Sequence, residues 1–270
     1  MLPEPLYKRD GIYIFCGDSQ EILPKLLKAW SVDLVLADPP YGLSGKHDEA
    51  EIVVERPGAP LYLKRQYGDW DLEWNPEWFL AEAARILKPG GSLVAFMAHE
   101  WIPLYEESPL RTRKFGVWVK SNSPPRVRPG YQHSTEFWIW QTKDGKPFTW
   151  NGGFTQSNAI ITPNPHSTDG DLVHPNQKPL ELMKGFILRH SNPGDLIIDP
   201  YMGSGTTLVA AYHLGRRCIG IELDREYCDA AITRLQQSPM MGGIACPDVE
   251  SIDLEQQPML PLFQVGGIHR

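Results

Sequence analysis

The chain has 270 residues and a formal net charge of −7, and 41% of its residues are hydrophobic, which suits one α/β domain with a large core. It shows neither a membrane-length apolar run nor a basic start followed by an apolar stretch. We therefore expect a cytoplasmic protein with no membrane anchor. The four cysteines include no C-x-x-C pair, which favours reduced thiols over a disulfide framework or a zinc cluster. The acidic balance argues against a small basic DNA-binding module.

The first predicted elements are two strands with a helix between them. Residues 12–15 and 32–36 are short apolar runs, typical of buried strands in a parallel sheet. Residues 19–30 have the apolar spacing of an amphipathic helix. Farther along, residues 77–87 predict a second helix, which ends at the stop signal Lys88-Pro-Gly-Gly.

The second predicted strand runs into Asp38-Pro39-Pro40-Tyr41, the most informative tetrapeptide in the chain. A carboxylate at this point lies at the carboxyl edge of a parallel sheet, where ligands collect. The two prolines fix the backbone and remove two N–H donors, so carbonyl oxygens remain as acceptors, and Tyr41 adds a flat ring. Acceptors beside a stacking surface suit the exocyclic amine of a nucleobase. The same four residues would also fit an ordinary strand-to-loop turn.

The middle of the chain predicts further strands and two long connections. Residues 93–97 read as a strand, and residues 117–119 and 137–140 as an antiparallel pair. The segments 42–75 and 121–174 are polar and rich in Gly and Pro, as functional or disordered loops are.

Basic residues are concentrated between residues 108 and 135, where no acidic residue occurs. This composition fits contacts with DNA phosphates, and Trp118 and Tyr131 offer stacking surfaces for bases. A solvated basic face would have the same composition. The residues that we expect to contact phosphates are Lys120, Arg126 and Arg128.

Residues 196–211 predict a strand, a tight glycine turn and a helix, which together let a nucleotide-like ligand approach the backbone closely. Asp199 ends this strand. The next predicted strand, 217–221, is followed by Glu222, and an acid at this offset is well placed to accept hydrogen bonds from ribose hydroxyls.

The glycine turn discriminates among three ligand classes. Gly205 is followed by Thr206 instead of the lysine of a nucleoside triphosphate loop. Leu208 stands where a dinucleotide-binding motif has its third glycine. S-adenosylmethionine has a ribose but no phosphate, so it fits this turn better than ATP or NAD.

With these motifs the chain resembles the amino-methylating DNA methyltransferases of the β arrangement over most of residues 12–236. In that family a D-P-P-Y motif precedes the cofactor motif, and the supporting motifs occur here in the family's order: Cys16-Gly-Asp18, residues 87–96, 118–120 with 136–140, and 174–179. The resemblance implies a doubly wound, Rossmann-like methyltransferase fold with a mostly parallel sheet, an antiparallel hairpin and a circularly permuted motif order. It assigns residues 1–237 to this domain, with 42–75 and 121–174 as insertions for target recognition and 238–270 as an acidic tail.

The candidate site residues fall into a catalytic and a cofactor set. The catalytic set comprises Asp38, Pro39, Pro40 and Tyr41. The cofactor set, in large part implied by the resemblance, comprises Asp18, Asp38, His174, Asn176, Gln177, Lys178, Asp199, Pro200, Gly203, Ser204, Gly205, Thr206 and Glu222. Asp18 also fits a helix cap, and residues 174–179 also fit a proline-bounded helix start. We predict no metal site, since no ligand set is apparent.

The resemblance implies site-specific transfer of a methyl group from S-adenosylmethionine to the N6 amine of adenine in double-stranded DNA, after the base has rotated out of the helix. Cytosine N4 is the nearest competing target, although family members with that substrate more often have Ser at position 38. Methylation of RNA or of a protein amide would predict Asn there. Outside these chemistries, the chain could be a silent DNA-binding regulator or an NAD-dependent oxidoreductase. A homodimer and a partner restriction endonuclease are compatible with the family, and no pattern in this chain indicates either.

Overall fold

The computed structural model of the protein describes residues 3–41, 74–123, 131–165 and 177–238. The strands are β1 Tyr7–Arg9, β2 Ile12–Cys16, β3 Val32–Ala37, β4 Leu87–Met97, β5 Arg111–Lys120, β6 Thr135–Thr142, β7 Ala159–Thr162, β8 Leu196–Asp199 and β9 Arg217–Glu222. The helices are α1 Ser19–Leu26, α2 Pro76–Ile86, α3 Ile102–Glu106, α4 Leu180–His190, α5 Thr206–His213 and α6 Arg225–Gln237. A 3₁₀ turn, His99–Trp101, precedes α3.

All nine strands form one sheet, in the order β1-β2-β9-β8-β3-β4-β6-β5-β7. Five adjacent strands run parallel to one another, in the order β2, β9, β8, β3 and β4. β6 runs antiparallel to both β4 and β5, so the mostly parallel sheet with an antiparallel hairpin is confirmed.

The centre of the sheet is the pair β3 and β8, where the direction of winding reverses. The chain continues from β3 to β4 on one side and from β8 to β9 on the other. At such a reversal a crevice opens beyond the carboxyl ends of the strands. Val35 lies opposite Ile198, so Asp38, directly after β3, and Asp199, the last residue of β8, lie at the edge of this crevice.

The sheet separates two apolar cores, and β3 shows how the sequence builds both. Leu34 and Leu36 belong to the core under α4, α5 and α6. Val35 and Ala37 belong to the core under α1, α2 and α3. Full burial of a side chain of this kind stabilises the fold by roughly 1.5–3 kcal/mol, so this alternation fixes the register of the strand that ends at Asp38.

The first helix is shorter than predicted. α1 ends at Leu26 because Leu27 takes an extended conformation, in which its side chain is buried, and Trp30 adopts a positive φ of 62°. The stop signal Lys88-Pro-Gly-Gly ends α2 as predicted, but the same residues already belong to β4.

The segment 121–174 is not one long loop. It contains β6 between β4 and β5, and also β7, which pairs with β5 at the edge of the sheet. The strand predicted over 137–140 corresponds to β6, whereas β7 was not predicted, and neither was β1, since Tyr7–Arg9 is short and polar. Two predicted segments lie outside the described residues: the loop 42–75 as far as residue 73, and the acidic tail from residue 239 onward. Within the described ranges no helix is long and apolar enough to span a membrane.

Substitution of Gly116 in β5 tests how tightly the hairpin packs. An added Cβ atom would lie against the Trp138 ring and 2.5 Å from the backbone oxygen of Asn158. We expect Gly116→Ala to lower the free energy of unfolding by about 1–3 kcal/mol, because the buried ring must shift. Urea denaturation measures this change, with Lys114→Ala, at an exposed position of the same strand, as the control. Equal stability of the two variants would contradict the packing described.

Candidate active site

Asp38 lies in a compact group of charged side chains at the carboxyl edge of the sheet. Lys178 Nζ donates to Asp38 Oδ2, and Lys178 also lies 3.2 Å from Glu136 Oε2. The Tyr41 hydroxyl lies 3.1 Å from Asp38 Oδ1 and 3.3 Å from Glu136 Oε2. Lys120 Nζ pairs with Glu136 Oε1 at 2.5 Å. We call these five residues the carboxylate cluster.

Four segments of the chain meet in the carboxylate cluster. Asp38 and Tyr41 follow β3, whereas Lys178 precedes α4. Lys120 ends β5 and Glu136 lies at the start of β6. Since β6 is antiparallel to β4 and β5, its first residues reach the same edge as the ends of the parallel strands.

Burial and charge pairing oppose each other in the cluster. Burial raises the pKa of Asp38, although Lys178 partly offsets the shift. For Glu136 the two lysines outweigh burial and lower its pKa to about 2. Burial on its own would lower the pKa of Lys178, but the neighbouring carboxylates raise it. The cluster thus pairs two carboxyl groups with two lysine side chains, which stabilise one another away from water.

Tyr41 is held at both ends. Burial and the two carboxylates raise its pKa, so the hydroxyl remains a hydrogen-bond donor. At the backbone, Trp101 Nε1 donates to the Tyr41 carbonyl oxygen at 2.8 Å. Between Asp38 and Tyr41, Pro39 is buried and Pro40 half-buried. The aromatic ring therefore keeps a defined position beside the Asp38 carboxylate.

The predicted glycine turn lies across the crevice, after β8. Gly205 has a φ of +79°, and a Cβ atom there would lie 2.7 Å from the Ala231 side chain on α6. Glycine meets both the backbone and the packing requirement. Gly203 N donates to Glu222 Oε2 at 3.0 Å, and Asp224 N donates to Glu222 Oε1 at 2.8 Å.

Asp199 is almost completely buried beneath this turn. Its Oδ1 accepts from Tyr201 N at 3.1 Å. Burial is the main cause that raises the pKa of Asp199 to about 7, despite hydrogen bonds that favour the ionised form. Burial also raises the pKa of Glu222. Carboxyl groups with raised pKa values in a crevice are typical of functional sites.

Side chains from distant segments brace the turn. Arg234 Nη1 donates to Ser204 O at 2.7 Å and lies 3.1 Å from Thr206 Oγ1. The Ser204 hydroxyl donates to Gln177 Oε1 at 3.2 Å. Pro200 O accepts from the buried hydroxyl of Ser19. The conformation of the turn therefore depends on α6 and on the segment before α4.

Asp18 acts in the structure as the N-cap of α1, where its Oδ1 accepts from Gln20 N at 2.8 Å. This is the simpler of its two predicted roles, and a contact with the cofactor stays a prediction. His174 and Asn176 lie outside the described residues.

The described basic residues of this stretch are spread along the length of β5. Arg111 begins β5 and Lys120 ends it, so they lie about 30 Å apart at roughly 3.3 Å per residue. Lys120 is engaged by Glu136, which argues against a phosphate contact from this position. The expected stacking role of Trp118 is wrong, because that side chain is 1% exposed, whereas Tyr131 is 95% exposed. Arg126 and Arg128 lie outside the described residues.

The sequence motifs did not single out Glu136, Trp101 or Arg234 as site residues. One signal for Glu136 was available in the sequence. Glu136 immediately precedes the apolar run 137–140, and the predicted antiparallel pairing of this run with residues 117–119 puts the start of the run at the catalytic edge. Trp101 and Arg234 had no such signal, since each acts through a tertiary contact with a backbone carbonyl.

A family model for DNA methylases of the N6/N4 type matches residues 32–233, a range that contains both the carboxylate cluster and the glycine turn. This chain belongs to the DNA methylase family. The match includes Asp38, Glu136, Lys178, Asp199 and Glu222.

Individual relatives agree with this membership. A Type II methyltransferase, M2.DpnII of Streptococcus pneumoniae, is 30% identical over 87% of this chain and 94% of its own length. The DNA adenine methyltransferase YhdJ of Escherichia coli is 31% identical over 82% of each chain. The crystal structure of an M1.HpyAVI–SAM complex is 29% identical, with a TM-score of 0.62 over 83% of this chain and 99% of that one. The doubly wound methyltransferase fold is therefore confirmed.

The buried carboxyl group of Asp199 should make stability depend on pH. Its ordinary pKa is 3.8 and its pKa in the fold is about 7, so the unfolded chain ionises first as the pH rises. We expect Asp199→Asn to raise the free energy of unfolding at pH 8 by about 2–4 kcal/mol, because the isosteric amide avoids this cost. The gain should grow between about pH 4 and pH 7 and stay constant above that range.

Denaturant unfolding at pH 4.5 and pH 8 checks this expectation. Asp229→Asn, at an exposed position of α6, serves as the control. A gain for Asp199→Asn that is the same at both pH values would show that the Asp199 carboxyl group does not have a raised pKa.

Proposed function

We propose that the chain is a site-specific DNA methyltransferase that transfers the methyl group of S-adenosylmethionine to the N6 amine of adenine in double-stranded DNA. The observation that carries this proposal is the meeting of two motifs at one crevice. Asp38 and Tyr41 follow β3, the glycine turn follows β8, and these strands are neighbours at the reversal of the sheet. Membership of the DNA methylase family and a relative named as an adenine methyltransferase support it.

The residues of the crevice fit S-adenosylmethionine. Both Glu222 oxygens accept backbone N–H donors, and a carboxylate has further lone pairs for a ribose hydroxyl. The carboxyl groups of Asp199 and Glu222 line the half of the crevice beside the glycine turn, and in their ionised form they favour a cationic ligand and disfavour phosphates. Gly203, where an added Cβ atom would meet open space, leaves room for close approach to the backbone.

Methyl transfer requires a better nucleophile than a free nucleobase amine, whose lone pair is shared with the ring. Asp38 would accept one amine hydrogen and the Pro39 carbonyl the other, which localises the lone pair on nitrogen. S-adenosylmethionine supplies a methyl group on a positive sulfur, and the electron pair of the broken C–S bond stays with that sulfur. As the N–C bond forms, the nitrogen gains the positive charge and then releases a proton towards Asp38. In-line positioning contributes most of the remaining rate.

The target amine is paired inside a duplex, so the base must leave the stack. Unstacking costs a few kcal/mol, and the ring of Tyr41, held at both ends, offers a replacement stacking surface. The assignment to adenine depends on Asp38 and on the named relative, since the acceptors would also fit the amine of cytosine.

The family resemblance further suggests a homodimer, a partner restriction endonuclease and a cytoplasmic location, which stay predictions. Light scattering of the purified chain, and inspection of the neighbouring genes, would test the first two.

Exchanging Asp38 and Glu222 for alanine should separate chemistry from cofactor binding. Asp38→Ala should abolish methyl transfer and leave the Kd of S-adenosylmethionine within a few-fold, because the carboxylate contacts the target amine. Glu222→Ala should weaken binding by about 1.5–3 kcal/mol, since a charge-assisted hydrogen bond is lost. Calorimetry and transfer of labelled methyl groups measure the two effects. A large loss of cofactor affinity in Asp38→Ala, or none in Glu222→Ala, would refute the assigned roles.

The product decides the base. We expect N6-methyladenine when methylated DNA is digested to nucleosides and analysed by mass, because Asp38 is the acceptor that the family pairs with adenine. N4-methylcytosine would overturn the base and leave the fold and cofactor in place. Absence of any methylated nucleoside, with DNA and cofactor bound, would favour a silent DNA-binding protein.

A further inference from the structure

Both oxygens of Asp38 already have partners in the structure. Tyr41 lies at hydrogen-bond distance from Oδ1, and Lys178 donates to Oδ2. The proposed reaction requires Asp38 to accept a hydrogen from a neutral amine. A carboxylate has further lone pairs, but an ammonium group in contact with it fills the adjacent space and weakens its attraction for a neutral donor. One partner must therefore withdraw when the target base enters.

Lys178 is the partner that can withdraw. Tyr41 is fixed by its hydroxyl group and by the hydrogen bond from Trp101 to its carbonyl oxygen. Lys178 has three equivalent donors on a flexible stem. Its ammonium also lies over the Phe96 ring, 4.9 Å from the centroid, a contact that tolerates a small displacement.

Glu136 provides the second position for the Lys178 ammonium. Its Oε2 lies 3.2 Å from Lys178 Nζ, while its Oε1 holds Lys120. A buried ammonium without a carboxylate partner would be costly, and the side chain of Lys178 is only 8% exposed. Because Glu136 already borders it, Lys178 can release Asp38 without losing its last carboxylate.

We propose that Lys178 is a positioning residue, which occupies the target-amine position on Asp38 in the free enzyme and transfers to Glu136 when the base enters. This inference depends on the proposed methyltransferase function. In the free enzyme Lys178 partly offsets the effect of burial on the pKa of Asp38, and in the complex it leaves the carboxylate to the amine. Glu136 makes the exchange possible.

The groups that face Asp38 determine what each substitution should do. They are Lys178, Glu136 and Tyr41, with Tyr105 and Asp199 farther away. Without Lys178, burial and Glu136 both raise the pKa of Asp38, so the carboxyl group ionises only at higher pH. Without Glu136, Lys178 has Asp38 as its remaining carboxylate partner among these groups and holds it more tightly.

The experiment compares Lys178→Met, Glu136→Gln and the double variant in the full-length protein. The substrate is a duplex that carries the site found by mapping modified bases. We measure kcat/KM for DNA from pH 6 to pH 8.5, and the Kd of S-adenosylmethionine by calorimetry. Lys88→Met is the matched control. Lys88 on β4 pairs with Asp33 at 2.7 Å, and Asp33 lies on β3, the strand that precedes Asp38.

Lys178→Met should shift the acidic limb of the profile upward by about one pH unit or more, so that its activity rises towards pH 8.5. Glu136→Gln should lower kcat/KM at least about tenfold across the pH range, with the acidic limb unchanged. In the Lys178→Met background the same substitution should lower kcat/KM by no more than about threefold. The Lys88→Met profile should keep the wild-type shape. Two results would overturn the inference. One is a loss of activity at every pH in Lys178→Met while cofactor binding is intact, and the other is an effect of Glu136→Gln that is as large in the double variant as in the single one.

If Lys178→Met does not fold, Lys178→Arg replaces it. A guanidinium group can bind both carboxylates at once through its two pairs of N–H donors, so it should not release Asp38. Activity should therefore fall at every pH, while the acidic limb of the pH profile stays at its wild-type position. Wild-type activity of this variant would overturn the inference. A wild-type protein that produces no methylated base would instead refute the proposed function itself.

Discussion

The parallel pairing of β3 with β8 is the constraint on which the site depends. It sets two distant segments side by side, in a register that puts Asp38 and Asp199 at one edge. The alternating burial of β3 fixes that register, because a slip of one residue would turn Leu34 and Leu36 away from their core. A crevice for two ligands then arises from the reversal of the sheet, before any side chain contributes specificity.

The two halves of the crevice differ in their charged groups. The half near Asp38 contains as many ammonium groups as carboxylates, so it can receive a neutral base. The half near Asp199 and Glu222 holds two carboxyl groups whose pKa values burial raises, and a cationic ligand would stabilise their ionised form. A neutral acceptor of the methyl group and a cationic donor would thus meet at the boundary between two differently charged environments.

The sequence predicted the parts of this arrangement that depend on local pattern. Strand ends are visible as apolar runs, so the positions of Asp38, Asp199 and Glu222 at the carboxyl edge followed directly. β7 was missed because its four residues stand alone in a polar segment. Trp118 was assigned to DNA from its basic neighbours, yet a strand turns alternate residues inward. The pairing of Lys178 with Asp38 spans 140 residues, and no local pattern reports a contact of that kind.

The order of the strands also has a consequence for biosynthesis. Leu196 N donates to Asp33 Oδ2 across 163 residues of chain, and β8 and β9 lie between β2 and β3 in the finished sheet. While the ribosome is still making residues 38–195, β2 and β3 therefore have open edges facing a gap that only β8 and β9 can fill. Unpaired edges of this kind invite wrong pairing between chains. The nascent amino-terminal half is therefore exposed to wrong pairing until β8 and β9 have been synthesised.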